Sequence, residues 1–260
     1  MLGSPIDHSL SPVLHRAAYA ELGLDWTYGR FEMTESGLAG FVAGLDSSWR
    51  GLSLTMPLKV AVLDLGEVDP VARRAGAGNT LILSDQGNRV YNTDVGGLVW
   101  SVSRVTADPV RRVTILGTGA TARSAVVSMA ELGAERVTVV ARTPAKAVPL
   151  EALGRELGVR VDTRPWSTEL PAADLVVSTV TAGAADAVAA AVAASAPLIF
   201  DAIYAPWPTA LAEAARRAGG TVINGLDLLV GQALLQIELM TERSVSADLL
   251  YAALAGRGQG

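Results

Sequence analysis

Cysteine is absent from this 260-residue chain, and histidine nearly so, with only His8 and His15 present. Without thiols there can be no disulfide and no thiolate-held metal, and the composition suits a reducing, cytoplasmic compartment. Two imidazoles are too few for most protein-built metal cages. Aromatic residues are only 5% of the chain while half of it is apolar, so the core must be aliphatic. Cations are outnumbered: 21 Lys and Arg face 26 Asp and Glu, for a net charge of −5. That balance argues against nucleic acid or an anionic membrane as partner, because both reward basic surfaces. Long apolar runs are missing too. The Ala-rich "AVAAAVAASAPLIF" has Asp186 before it and Pro197 within it, and no basic segment precedes an apolar one at the N-terminus. Neither a membrane span nor an export signal is expected.

The scarcest charged residue is lysine: among the 21 cations only Lys59 and Lys146 are lysines. A guanidinium keeps its charge at any working pH, whereas an ammonium can release a proton and take it back. Lys59, just after the proline turn of "SLTMPLKV", therefore reads as a residue for acid–base chemistry.

Hydrophobic period and punctuation predict helices near 12–22, 35–44 and 57–64, and strands near 26–32, 50–54, 79–84 and 88–91. A helix is expected from about 95 to 105. The opening "MLGSPIDHSLSP" reaches a turn after two residues, so its first strand is expected to extend further upstream. Beyond "ADPVRR" the pattern changes. "RVTILG", "RVTVVA", "DLVVST", "PLIFDA" and "GTVING" are apolar at most positions rather than at every second one, which marks buried parallel strands. With helices between them they predict a doubly wound sheet. Two helices, near 226–241 and 246–256, close the chain, and the tail "RGQG" reads as loose.

"VTILGTGATARSAVV" sets Gly117, Gly119, Ala120 and Ala122 between an apolar strand and an Ala-rich helix. The first glycine allows a tight turn, the second lets backbone approach a pyrophosphate, and small Ala122 permits close helix–strand contact. The helix N-terminus offers its N–H groups to phosphate. The next strand ends "VVARTPAK", with no carboxylate to accept from a ribose 2′-hydroxyl. Arg142, Thr143 and Lys146 stand there instead, and two cations with a hydroxyl suit a 2′-phosphate. The expected cofactor is therefore NADP(H).

Three polar clusters interrupt the first third: "PIDHSLSP" (5–12), "SLTMPLK" (53–59) and "GAGNT…YNTDVGG" (76–97). Singly each has an ordinary explanation. His8 or Ser9 could cap the helix that follows, Asn79 and Asn92 could be turn residues, and Asp94 could be an N-cap. Together, in order, and with "GTGATAR", "ART", "DAIYAPWPT" and "NGLDLLVGQA", they resemble the shikimate dehydrogenase family over nearly the whole chain.

The resemblance implies reduction of 3-dehydroshikimate to shikimate with NADPH, with Lys59 and Asp94 as the catalytic pair. It implies that Ser9 and Ser11 hold the substrate carboxylate, that Thr55, Asn79 and Gln232 hold the ring hydroxyls, that Tyr204 lies near the carboxylate, and that Gly225 lies near the nicotinamide. It also implies two α/β domains: a substrate domain from 1–94 completed by 227–260, and a Rossmann-type nucleotide domain from 95–226, with the reacting groups in the cleft between them. The family usually has Asn where Ser53 stands, Asn where Arg16 follows His15, and Asn where Ala141 precedes Arg-Thr. Ser53, being shorter, is expected to reach substrate only through water. Quinate as substrate, or a non-catalytic NADP(H)-binding regulator of the same fold, are the competing readings. The assembly is expected to be a monomer or homodimer.

Overall fold

Five mostly apolar runs pair, with a sixth and more polar strand at one edge, into one parallel sheet in the second half of the chain, because strands covered on both faces by helices must be apolar on both. The computed structural model describes residues 1–256, so the tail "RGQG", expected to be loose, lies outside the described residues. The described chain divides into two compact units: Met1–Gly97 together with Leu229 onward, and Leu98–Leu228.

The first unit begins with β1 (Leu2–Gly3), α1 (Ser11–Glu21), β2 (Phe31–Glu32), α2 (Glu35–Ala43) and β3 (Gly51–Ser53). It continues through β4 (Glu67–Val68), α3 (Pro70–Ala75), β5 (Thr80–Ile82), β6 (Arg89–Tyr91) and the start of α4 (Thr93–Ser103). A four-stranded sheet runs in the order β3-β5-β6-β4, antiparallel except for the β4–β6 pair. Leu52, Leu54, Leu58, Val62, Leu81 and Val90 pack under it with Leu2 and Leu38. β1 pairs in parallel with β2, and Leu2 also bridges to Leu54.

Two expectations fail here. Residues 57–64 do not form an α-helix: a turn leads into a short 3₁₀ helix at Ala61–Leu65, since the Lys59 carbonyl is taken by the Gly78 N–H and the segment is too short to propagate. Only Phe31–Glu32 of the strand expected over 26–32 pairs with another strand; Arg16 instead takes the carbonyl of Tyr28 with its guanidinium, at 2.7 and 3.0 Å.

The second unit holds β7 (Arg112–Leu116), α5 (Ala120–Glu131), β8 (Arg136–Ala141), α6 (Val148–Leu157), β9 (Arg160–Pro165) and β10 (Leu175–Ser178). α7 (Ala189–Ser195), β11 (Leu198–Asp201), α8 (Ala210–Arg217) and β12 (Thr221–Ile223) follow. The strand order is β12-β11-β10-β7-β8-β9, parallel throughout. This is the doubly wound Rossmann-type order, with the glycine turn leaving the central strand β7. Sequence period missed β9, whose Arg160, Asp162 and Arg164 are those of an edge strand rather than a buried one. The chain returns to the first unit along α9 (Gly225–Thr241), and α10 (Ala247–Ala255) packs on α1.

Leu81 is fully buried in the first unit's core. Truncation to alanine should cost about 2–5 kcal/mol, the usual penalty for a buried leucine that leaves a cavity, and urea unfolding of Leu81→Ala against wild type measures it.

Candidate active site

The proline turn that ends β3 presents Lys59. Leu58 is fully buried and its N–H donates to the carbonyl of Thr55 at 2.8 Å, closing the turn. The N–H of Gly78 donates to the carbonyl of Lys59 at 2.7 Å, so the Lys59 backbone is clamped to the segment that carries Asn79. A side chain at Gly78 would press on Val90 and Val62, which is why this close approach takes glycine.

At the start of α4, Asn92 rather than Asp94 accepts the N–H of Val95, at 3.2 Å, leaving Asp94 in the first turn. Its carboxylate is therefore available, and it meets Lys59: Nζ to Oδ2 is 2.5 Å. The pair is nearly withdrawn from water, with side-chain exposures of 14% for Lys59 and 7% for Asp94. The other carboxylate oxygen, Oδ1, accepts from Asn79 Nδ2 at 2.9 Å. An ammonium and a carboxylate brought together from 35 residues apart and hydrogen-bonded on the far side form a site able to deliver and recover a proton.

Asn79 is buried, and its amide is used within the protein. Nδ2 also lies 2.9 Å from Thr93 Oγ1, and Oδ1 accepts from the Thr93 N–H at 2.8 Å and from the Thr80 hydroxyl at 2.9 Å. Ser9 and Ser11 are both buried at the start of α1, where Ser9 Oγ accepts weakly from the Ser11 N–H at 3.4 Å; His8 is exposed. Thr55 is half-buried, and its methyl lies where any Gly3 side chain would stand. Gln232 faces inward on α9, donating to the carbonyl of Leu229 at 2.8 Å.

Ser53 differs from the expectation that it reaches substrate through water. It is 1% exposed, accepts from the Tyr28 hydroxyl at 2.6 Å and donates to Gln236 Oε1 at 2.8 Å, so its proton is committed inside the protein. Burial raises the Tyr28 pKa. Sequence reasoning missed Gln236, Tyr28 and Thr80. The one available signal for Gln236 was its place one helical turn after Gln232 on a mostly apolar helix.

In the second unit, Gly117 adopts φ +110°, and a Cβ there would approach Thr179 Oγ1 to 2.7 Å. At Gly119 a Cβ would meet nothing, so the surface in front of α5 is open, and Ala122 is fully buried against the sheet. α5 has no side-chain cap and no acid in its first turn. An uncapped N-terminus behind an open glycine turn fits a pyrophosphate. Arg142, Thr143 and Lys146 are exposed after β8, and among the described residues neither cation is in an ion pair. Gly225 is buried where a Cβ would overlap the carbonyl of Ala202. Half-buried Tyr204 lies in the loop after β11, tied at its base by Asp201, which accepts from the Thr209 hydroxyl at 2.7 Å and the Ile203 N–H at 3.3 Å. Burial raises the Asp201 pKa above the ordinary carboxylate value. Among the described residues no cluster of His, Asp and Glu is placed to hold a metal, and no helix is long and apolar enough to cross a membrane.

A Rossmann-type sheet with an open glycine turn, joined to a second α/β unit bearing a buried ammonium–carboxylate pair, defines a nicotinamide-dependent oxidoreductase. Comparison with known proteins narrows the class. Residues 1–81 match the shikimate dehydrogenase substrate binding domain, and residues 112–202 match the model for NADP oxidoreductase, coenzyme F420-dependent. The shikimate dehydrogenase (NADP(+)) of Moorella thermoacetica is 35% identical over 96% of this chain and 90% of its own. Among solved structures, Mycobacterium tuberculosis shikimate dehydrogenase is 41% identical with a TM-score of 0.90, covering 98% of this chain and 97% of that one. Shikimate 5-dehydrogenase from Thermus thermophilus in complex with NADP(H) and shikimate is 29% identical with a TM-score of 0.83, over 98% and 97% of the two chains. The chain belongs to the shikimate dehydrogenase family.

His15 lies fully buried beneath the site, stacked on Tyr28 at 4.1 Å, and burial pushes its pKa from the ordinary 6.5 down to about 3. The unfolded chain therefore takes up a proton below about pH 6.5 that the folded protein refuses until about pH 3. Stability present above pH 6.5 should be lost progressively as pH falls towards 3, at up to about 1.4 kcal/mol per pH unit. Urea unfolding at several pH values within that window should show a shallower loss for His15→Gln, which cannot titrate.

Proposed function

We propose that this protein reversibly reduces 3-dehydroshikimate to shikimate, with NADPH as reductant, in the cytoplasm. The observation that carries the reading is the Lys59–Asp94 pair, nearly buried and braced by Asn79. We assign substrate handling chiefly to the first unit, and to Tyr204 of the second, and the nucleotide to the second. Gly117, Gly119, Ala120 and Ala122 would hold the pyrophosphate, and Arg142, Thr143 and Lys146 the 2′-phosphate, with Gly225 near the nicotinamide. When bound, the cofactor supplies or accepts the hydride.

Reduction of a ketone leaves charge on the former carbonyl oxygen. An ammonium held beside that oxygen stabilises the charge as it develops and then transfers its proton. Asp94 orients Lys59 through their hydrogen bond; in the reverse direction the freed amine recovers the proton from the alcohol. Arginine at 59 could polarise the carbonyl but could not complete the transfer. Ser9 and Ser11 would supply hydroxyls for the substrate carboxylate, with Tyr204 near it, and Thr55, Gln232 and Asn79 would hold the ring hydroxyls, Asn79 by exchanging its bond to Thr93 for one to substrate.

Wild type should reduce NADP⁺ with shikimate as the alcohol and turn over quinate less well. Lys59→Ala and Lys59→Arg should each lower kcat by about 10²–10⁴-fold, the usual contribution of a positioned general acid. Preference for quinate would shift the substrate assignment, and NADP(H) binding without turnover of either alcohol would point to a regulator. Unimpaired turnover by Lys59→Ala would remove the mechanism. For the cofactor, Arg142→Ala should raise the KM for NADP⁺ about tenfold, in line with losing one charge-assisted hydrogen bond, and leave that for NAD⁺ unchanged.

A further inference from the structure

Gln236 belongs to none of the groups assigned above, yet its whole hydrogen-bonding capacity is spent in the floor beneath the Lys59–Asp94 pair. It sits on α9, 1% exposed. Its Nε2 lies 2.9 Å from Thr80 Oγ1 and 3.2 Å from the carbonyl oxygen of Asn79. Its Oε1 lies 2.8 Å from Ser53 Oγ and 3.2 Å from His15 Nε2. The amide therefore uses two donors and two acceptor positions, all that it has.

These contacts have a forced direction. A backbone carbonyl only accepts, so the Gln236 NH₂ must face Asn79, and Oε1 must face Ser53 and His15. Ser53 must then donate to Gln236, and the Tyr28 hydroxyl donates to Ser53 at 2.6 Å. On the other side Thr80 accepts from Gln236, which turns its own proton towards Asn79 Oδ1 at 2.9 Å. With Oδ1 also taking the Thr93 N–H, the Asn79 NH₂ must point at Asp94 Oδ1, and Asp94 Oδ2 takes Lys59. Were the Asn79 amide reversed, its oxygen would abut the carboxylate.

We propose that Gln236 is a positioning residue for the reaction: acting through Thr80, it joins the Thr93 N–H in fixing the orientation of the Asn79 amide and thereby of Asp94 and Lys59. This rests on the reading of Lys59 and Asp94 as the proton-handling pair. Gln236 touches none of the reacting groups itself. A leucine in its place would leave the Asn79 carbonyl with the Leu54 N–H alone, at 2.7 Å, and the Thr80 hydroxyl free to turn away from Asn79.

The test compares Gln236→Leu, Thr80→Val and Thr80→Ser with wild type, using the whole protein, shikimate and NADP⁺. Gln236→Leu and Thr80→Val should each lower kcat by about tenfold or more through misplacement of the pair, with the KM for NADP⁺ unchanged, while Thr80→Ser, which keeps the hydroxyl, retains most of the rate. A second readout needs no turnover. The chain has two lysines, so selective ¹⁵Nζ-lysine labelling gives two side-chain signals, assigned with Lys146→Arg. In Gln236→Leu and Thr80→Val the Lys59 signal should move while that of Lys146 stays. Folded variants with kcat within about twofold of wild type, or with lowered kcat but an unmoved Lys59 signal, would overturn the proposal. Should Gln236→Leu fail to fold, the two Thr80 variants decide. Should wild type not turn over shikimate, the functional reading fails, and the Lys59 signal alone decides whether Gln236 sets the pair.

Discussion

One ammonium and one carboxylate, nearly out of water and 2.5 Å apart, set the terms for the first unit. Desolvating two charges costs several kcal/mol each, and mutual attraction offsets that only when the remaining hydrogen-bonding positions are filled. The Asp94 oxygen that does not meet Lys59 is filled by Asn79. The Lys59 backbone is tied to the same segment through Gly78. Pair, brace and clamp thus come from three separate stretches that the β3-β5-β6 sheet holds in register: the turn after β3, the approach to β5, and the start of α4 after β6.

Beneath the pair lies a polar floor within an aliphatic protein. Tyr28, Ser53, Gln236 and Thr80 satisfy one another in an unbroken sequence, and His15 joins it as a neutral ring because burial disfavours its charge. Low local dielectric makes such a network costly if any member lacks a partner and well ordered when all are paired. Ser53 acts here as an internal link. Its hydroxyl is short enough to leave room for the Gln236 amide and the Tyr28 phenol, so the three are best understood as one unit.

The nucleotide side rests on local constraints. A parallel strand must end in a tight turn before its helix, and Gly117 with φ +110° makes that turn. Fully buried Ala122 lets α5 lie close on the sheet, and the open space at Gly119 leaves the helix N-terminus accessible. Little of this depends on distant residues.

That contrast explains what could be read from the chain alone. The parallel strands, the glycine turn, the basic residues after β8 and the unusual lysine at 59 were legible because period, punctuation and residue scarcity are local properties. β9 escaped because an edge strand lacks the apolar run that marks its neighbours, and the helix expected over 57–64 became a turn because the clamp from Gly78 and the buried Leu58 outweigh weak propensity. Gln236 escaped altogether: it lies 183 residues from Ser53 and 156 from Thr80, and no local pattern encodes such a meeting. The chemistry of the residues was thus determined by the sequence itself. Which carboxylate faces the amine, which amide braces it and which way each proton points were decided only by tertiary packing, because hydrogen bonds acquire a direction when their partners are brought within 3 Å and water is excluded.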